Sequence, residues 1–254
     1  MSGAANGPEP DRVLHVSDVH FGVEDPQALD AFEQAIVQCG AEAVICTGDI
    51  TQRATHAQWE AARRWFAGLS VPVMAMPGNH DMPYGNLLER FMTPFKRFEA
   101  LAGVVSAELS LRHAIVIPFD TNVPAQARWP WSDGVVRQSR LEPTLERLAQ
   151  LSGDPRRKIV ACHHPLLPAR DGLPNPTIRG DEAFAQLVAA GADCILSGHV
   201  HVLFDQHRTR GGHCARMIGA GTLSTRLRGA PPGWNLLTFD AAAIHCRSMC
   251  SQPA

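Results

Sequence analysis

Five short polar clusters interrupt the apolar runs of this chain, and they hold six of its 12 histidines. Each cluster follows an apolar run of strand-like composition and coincides with a turn signal. In an α/β fold, the turns after the carboxyl ends of parallel strands are where chemically active groups collect. The pattern therefore favours folds that bring several such turns together. The clusters are residues 18–20 (DVH), 48–49 (GD), 78–81 (GNHD), 163–165 (HHP) and 198–201 (GHVH).

Strands and helices alternate along much of the chain. Residues 27–39 place Phe32 and Ile36 near a period of 3.6, which predicts a helix that ends at Gly40. This alternation predicts parallel β-α-β units, with more antiparallel strands from residue 215 onward, where no helices intervene. Strands are predicted over 13–17, 43–46, 71–76, 114–118, 158–162, 193–196, 215–218 and 235–239, helices over 27–39, 57–69, 141–151 and 182–190, and a helical excursion broken at Pro94 over 84–102.

Length and charge favour one globular domain without a nucleic-acid partner. The chain has 254 residues and a net charge of −2, and it contains no repeat, low-complexity tract or convincing linker. A balanced charge lacks the basic excess that binds a phosphate backbone. We predict a disordered tail over residues 1–10 and a single domain over 11–250.

Cysteine usage and hydropathy predict the compartment. The seven cysteines are scattered without a CxxC pair, and several lie in apolar runs, as is typical of a reducing environment. No apolar run approaches the ~20 residues that cross a bilayer, and residues 1–10 lack an apolar signal core. We therefore expect a cytoplasmic protein that does not enter a membrane.

The clusters combine carboxylate, amide and imidazole groups, a donor set that suits two divalent metal ions. Asp18, Asp49 and Asn79 are spaced by roughly one β-α-β unit each, so one edge of a parallel sheet would bring them together. A phosphate ester repels nucleophiles through its own charge, and a pair of metal ions offsets that charge. The pattern predicts a dinuclear site for phosphate chemistry, with Mn, Fe and Zn all compatible with the donors.

The ordered motifs DxH, GD, GNHD, HxP and GHxH resemble those of the calcineurin-like metallophosphoesterases. The chain looks most similar to the small bacterial cyclic-nucleotide phosphodiesterase-like (class III) members. Each motif alone is weakly diagnostic, but five in this order, from Asp18 to His201, are specific. The resemblance implies an α/β fold, namely a four-layer α/β/β/α sandwich with two facing mixed sheets and the site along one edge.

The resemblance also implies a role for each motif residue. Seven residues would bind metal in two groups joined by one shared carboxylate. The first group is Asp18, His20 and His201, the second is Asn79, His163 and His199, and the bridge is Asp49. His80 would donate a proton to the leaving group or stabilise the transition state, oriented by Asp81.

Several residues carry two interpretations. The HxP spacing selects His163 as the ligand, which leaves His164 for a supporting contact or for the substrate. The stretch over 82–98 is rich in aromatic and apolar side chains and would cap the site or form a homodimer contact. Three arginines are candidates either for phosphate contact or for surface ion pairs, and two tryptophans for base stacking or packing. They are Arg53, Arg170, Arg179, Trp129 and Trp131.

We therefore expect metal-dependent hydrolysis of a small phosphodiester by in-line attack of a metal-bridging hydroxide. A 3',5'-cyclic nucleotide such as cAMP is the first candidate, although Gln52-Arg53 and Phe21-Gly22 depart from the cyclic-nucleotide enzymes. The alternatives on the same site are a phosphomonoesterase and a nucleotide-sugar or lipid pyrophosphatase. Charge and length disfavour a nuclease, and the complete ligand set disfavours a non-catalytic scaffold.

Overall fold

Two six-stranded sheets form the centre of the protein. The computed structural model describes residues 9–170 and 172–251, so most of the predicted tail lies outside the described residues. The strands are β1 (Asp11–Val16), β2 (Ala43–Cys46), β3 (Val73–Ala75), β4 (Val105–Ser106), β5 (Leu109–Ser110), β6 (Ala114–Pro118), β7 (Gly134–Val135), β8 (Arg157–Ala161), β9 (Thr177–Ile178), β10 (Cys194–Ser197), β11 (Phe204–Arg210), β12 (His213–Gly219), β13 (Gly233–Phe239) and β14 (Ile244–Cys250).

Both sheets are mixed, and each has a parallel centre. The first sheet has the order β14-β13-β1-β2-β3-β4, and the second has the order β11-β12-β10-β8-β6-β5. Strands β1 to β4 run parallel in the first sheet, and β6, β8, β10 and β12 run parallel in the second. Parallel strands buried on both faces are rich in Val, Ile and Leu, as these runs are. β7 and β9 form a separate two-stranded ribbon.

Helices cover the outer face of each sheet. They are α1 (Pro26–Gln38), α2 (His56–Gly68), α4 (Gln138–Gln150) and α5 (Gly180–Ala189). The short helix α3 (Leu87–Met92) has no buried residue, and 3₁₀ segments lie at Asn79–Asp81 and Lys96–Leu101. Asp25 caps α1, while Thr55 and Gln58 form a capping box at the start of α2. Such caps satisfy backbone N–H groups that the first helical turn leaves unpaired.

Three apolar cores separate four layers. Phe32 of α1 and Trp59 of α2 pack on the first sheet, and Phe184 of α5 packs on the second. A third core lies between the sheets and includes Ile45 and Ile159. The predicted α/β/β/α sandwich is therefore confirmed.

The predicted elements match the structure except at the sheet edges. The helical excursion over 84–102 divides into α3 and a 3₁₀ helix on either side of Pro94, as predicted. β13 is antiparallel to β1, as expected for this part of the chain, and also to β14, a strand that was not predicted. β12 runs parallel to β10, because the hairpin with β11 reverses the chain before it. Across residues 9–170 and 172–251, none of the helices combines the length and the hydropathy that a bilayer crossing requires.

Candidate metal centre

The turns after five parallel strands converge on one edge of the sandwich. Parallel strands place their carboxyl ends on the same side, so residues distant in sequence become neighbours there. The donor residues at this edge are all buried. They are Asp18 and His20 after β1, Asp49 after β2, Asn79 after β3, His163 after β8, and His199 and His201 after β10.

The backbone at this edge adopts a left-handed conformation, which residues with a Cβ atom disfavour. Among the described residues, seven non-glycine residues have positive φ, and five of them are predicted ligands. A left-handed conformation costs a non-glycine residue ~1–3 kcal/mol and collects at functional sites. The five are Asp18 (55°), His20 (52°), Asp49 (51°), His199 (67°) and His201 (56°).

One group of donors surrounds Asp18. The Nε2 atoms of His20 and His201 lie 3.6 and 3.1 Å from Asp18 Oδ1. These two nitrogens are 3.3 Å apart. The Nδ1–H of His201 donates to the Arg226 carbonyl at 2.6 Å, which leaves the lone pair of Nε2 facing the carboxylate.

A second group surrounds His163. Its Nε2 lies 3.1 Å from Asn79 Oδ1 and 3.4 Å from Asp49 Oδ1. Its Nδ1–H donates to the Thr47 carbonyl at 2.8 Å. The His199 ring lies beside it, with a centroid separation of 5.3 Å. Burial opposes the protonation of His163, but the Asp49 carboxylate raises the pKa of this histidine to about 9. The surroundings of the His163 ring therefore favour a positive charge.

Asp49 faces both groups. Its Oδ1 is the oxygen near His163, whereas its Oδ2 lies 3.7 Å from His20 Nε2. Burial alone would raise the pKa of Asp49, but His163 and the other histidines around it hold that pKa well below its usual range. A charged carboxylate with one oxygen towards each donor group has the arrangement that a bridging ligand needs.

The donor chemistry of both groups fits divalent cations. Asp18 Oδ1 is buried and has no hydrogen-bond donor among the described residues, which is costly for a carboxylate oxygen without a cation. Possible donor atoms converge within 4.8 Å of one another in three sets of described residues. The sets are Asp18 with His20 and His201, Asp18 with Asp49 and His163, and His163 with His164 and His199. Nitrogen and oxygen donors of this mixture suit Mn, Fe and Zn.

The adjacent histidines 163 and 164 point to different neighbours. His164 Nε2 lies 2.9 Å from the Ser132 carbonyl, and its Nδ1 lies 2.9 Å from the Thr121 hydroxyl. Both ring nitrogens are therefore engaged by the protein. His163, in contrast, has one nitrogen on Thr47 and the other among the metal donors. The choice of His163 as the ligand stays a prediction, and these hydrogen bonds support it.

Two glycines allow the turns to approach each other. A Cβ on Gly78 would overlap the backbone nitrogen and a carboxylate oxygen of Asp49. A Cβ on Gly198 would overlap the Ser17 hydroxyl and lie 2.7 Å from Asp18 Oδ2. Any larger residue would displace the ligand carboxylates, which explains the glycine in the GNHD and GHVH motifs.

His80 lies beside the first donor group, and its partners differ from those expected. Its Nδ1 lies 2.9 Å from the Gln52 carbonyl, which orients the ring. Asp81, which we expected to orient this ring, instead accepts four hydrogen bonds from Ile50 N, Thr51 N, Thr51 Oγ1 and Gly78 N. The buried carboxylate of Asp81 thus ties the Asp49 turn to the Gly78 turn. Burial lowers the pKa of His80.

Arg226 is a site residue that the sequence analysis missed. Its Nη1 lies 3.0 Å from His80 Nε2 and 3.3 Å from His20 Nε2. It follows β12, which was not expected to be a parallel strand ending at this edge. Recognition of β12 as a parallel strand would have placed Arg226, which follows the carboxyl end of that strand, at this edge.

Of the other candidate residues, Trp129 lines a cavity together with the donor residue His199. Arg53 and Arg170 are exposed, and Arg179 forms an ion pair with Glu182 at 3.0 Å. Trp129 and Trp131 are 79% and 73% exposed and stack edge to face on each other. These tryptophans are therefore not packed into a core.

An apolar groove opens beside His80. The Tyr84 ring lies 5.6 Å from the His80 ring, and the Arg90 guanidinium lies 5.2 Å from the Tyr84 centroid. Leu87, Phe91 and Trp131 line the groove further out.

Comparisons with known proteins agree on the fold and the family. The calcineurin-like phosphoesterase family pattern matches residues 11–203. Among solved structures, a dimetal phosphatase from Danio rerio superposes with a TM-score of 0.70 at 12% identity, over 96% of this chain and 98% of that one. A purple acid phosphatase from yellow lupin superposes with a TM-score of 0.65 at 15% identity, over 96% and 52%.

Curated relatives are more similar in sequence, at modest identity. The 3',5'-cyclic adenosine monophosphate phosphodiesterase CpdA of Pseudomonas aeruginosa is 24% identical over 82% of this chain and 77% of its own length. A probable glycerophosphodiester phosphodiesterase GpdQ of Arcobacter nitrofigilis is 26% identical over 74% and 71%. Both names describe hydrolases of phosphodiesters.

Proposed function

Because the chain belongs to the calcineurin-like phosphoesterase family, we propose that it hydrolyses a small phosphodiester with two divalent metal ions. Membership makes it a metal-dependent phosphoester hydrolase, and the finer assignment rests on the donor geometry. The observation that carries it is the position of Asp49, whose two carboxylate oxygens face two separate donor groups.

We assign the donors to the two metals by these groups. Asp18, His20 and His201 would hold one ion, Asn79, His163 and His199 would hold the other, and Asp49 would bridge them. Ions so held supply Lewis acidity to the phosphoryl oxygens and a nucleophile at neutral pH. Mn, Fe and Zn are the proposed metals, because each accepts mixed imidazole and carboxylate ligands.

His80 is the proposed proton-handling residue. The Gln52 carbonyl holds Nδ1, so Nε2 is the ring atom that faces the site. The ring lies 4.9 Å from that of His20 and reaches the edge of the first donor group. An ester leaves as an alkoxide, which is a poor leaving group unless it is protonated. The protonated imidazolium form of His80 would transfer the proton from Nε2 to the alkoxide and become a neutral imidazole.

The proposed substrate class is a phosphodiester, with cAMP as the first cyclic nucleotide to try. The support is that relatives named for cyclic nucleotides and for glycerophosphodiesters share this class of bond. The test is a hydrolysis screen with added Mn, comparing cyclic nucleotides, bis(p-nitrophenyl) phosphate, monoesters and pyrophosphate esters. A preference for monoesters over every diester would overturn the proposal.

Two further assignments accompany this function. We propose a cytoplasmic location, supported by the free state of all seven cysteines. We also propose a homodimer formed through α3, whose apolar side chains are exposed.

A further inference from the structure

We infer that Arg226 binds the phosphoryl group of the substrate, an inference that rests on the phosphoesterase function proposed above. Arg226 follows β12 and extends its side chain over the same edge as the donor groups. Its guanidinium is half-buried and carries a positive charge. The residue therefore brings a permanent cation to the site.

The side chain of Arg226 lacks an anionic partner. Within residues 9–170 and 172–251, its hydrogen-bond partners are His80, His20 and Gln52, the last at 3.3 Å. All three contacts share the single atom Nη1. Several other arginines pair with carboxylates, such as Arg147 with Glu108 at 2.7 Å.

A guanidinium with unused donors next to a reacting centre is suited to an anion. Arginine offers five N–H groups in a planar fork that matches phosphate oxygens. The carboxylates of Asp18 and Asp49 would be taken up by the metal ions, which leaves the guanidinium to an incoming phosphoryl group. Its contact with His80 Nε2 sets it beside the residue that we assign to the leaving group.

The main chain of Arg226 has a separate part in the site. Its carbonyl accepts the Nδ1–H of His201 at 2.6 Å and so orients a proposed metal ligand. A substitution of the side chain retains that carbonyl. Side-chain variants therefore test phosphate binding without removing the support of His201.

The test compares three variants of the Mn-loaded protein, namely Arg226→Ala, Arg226→Lys and the control Arg64→Ala. Arg64 is an exposed arginine of α2 that pairs with Glu60 at 3.4 Å. The measurements are the Kd of inorganic phosphate by calorimetry, the metal content, and KM and kcat for bis(p-nitrophenyl) phosphate. Loss of a charge-assisted hydrogen bond weakens binding by about ten- to a hundredfold.

We expect Arg226→Ala to weaken phosphate binding and raise KM by this factor while the metal content stays unchanged. Arg226→Lys should recover part of the affinity, because it keeps the charge without the fork, and Arg64→Ala should match the wild type. Unchanged phosphate affinity in a folded, metal-loaded Arg226→Ala protein would overturn the inference. So would a loss of metal as the sole defect. If the wild type binds phosphate but hydrolyses no ester, the proposed function is refuted and the inference about Arg226 is not. In that case the comparison of phosphate Kd values between the wild type and Arg226→Ala still decides the role of Arg226.

Discussion

At the scale of single residues, His163 and His164 have different surroundings despite their adjacency. His163 presents Nε2 to Asn79 and Asp49, whereas both nitrogens of His164 are engaged by Ser132 and Thr121. The two rings are in edge-to-face contact, with a centroid separation of 4.7 Å, so what distinguishes them is the set of partners of their nitrogens. The pair therefore offers a matched test of the ligand assignment.

We expect His163→Ala to lose metal and His164→Ala to keep it. Even supporting residues of metal sites change affinity by ~10–100-fold, so the loss of a direct ligand should reach at least that range. His164→Ala should instead lower the free energy of unfolding by ~1–3 kcal/mol, because buried hydrogen-bonding groups lose their partner. Elemental analysis and urea unfolding measure the two effects. Equal metal loss in both variants would contradict the assignment.

The sequence predicted which residues meet at this edge, but not the contacts that support them. Asp18, Asp49 and Asn79 belong to short local motifs, and the spacing of the parallel strands brings them together. The contacts of Asp81 with the Asp49 turn, and of Arg226 with His80, join segments far apart in the chain. No local pattern encodes such pairs, so they required the structure.

At the scale of elements, the approach of two turns depends on Gly78. We expect Gly78→Ala to reduce metal affinity by ~10–100-fold, because the new Cβ would overlap Asp49 and displace its carboxylate. Gly85→Ala is the control, since a Cβ there meets nothing within 4 Å. Metal titration by calorimetry measures both. Similar affinities for the two variants would contradict the close approach described here.

The start of α2 offers a test that separates stability from metal binding. Thr55→Ala removes the hydroxyl that accepts from Gln58 N at 3.3 Å, and loss of such a cap costs ~1 kcal/mol. Urea unfolding should record this loss, while the metal content should stay at the wild-type value. Thr93→Ala, at an exposed position at the end of α3, should leave stability unchanged. An equal loss in both variants would contradict the capping role.

Prediction of the elements was accurate in the parallel centres and poor at the edges. β2 and β6 are short apolar runs between helices or turns, and their predicted bounds agree with the structure. β11 reads FDQHRTR and lies at an edge with most side chains exposed, so it has too few apolar residues to show a period. Strands of two residues such as β7 are too short for any periodicity.

At the scale of the whole molecule, α3 exposes an apolar surface beside the site. Leu88 is 75% exposed, and Leu87, Phe91 and Met92 are exposed with it. Patches of this kind usually mark a contact with another protein. We expect a homodimer that Leu88→Glu converts to a monomer, as measured by light scattering. Val37→Glu is the control, because Val37 is 76% exposed on α1. A monomeric wild type would refute the dimer.

The central claim is that one edge of this sandwich holds two metal ions bridged by Asp49. The most direct measurement is the metal stoichiometry of the chelator-treated protein during Mn titration, followed together with hydrolysis of bis(p-nitrophenyl) phosphate. The account predicts that activity returns as two Mn ions bind per chain. It also predicts that the Asp49→Asn variant binds neither of the two ions tightly and stays inactive. Full activity with one ion per chain, or two tightly bound ions in Asp49→Asn, would contradict it.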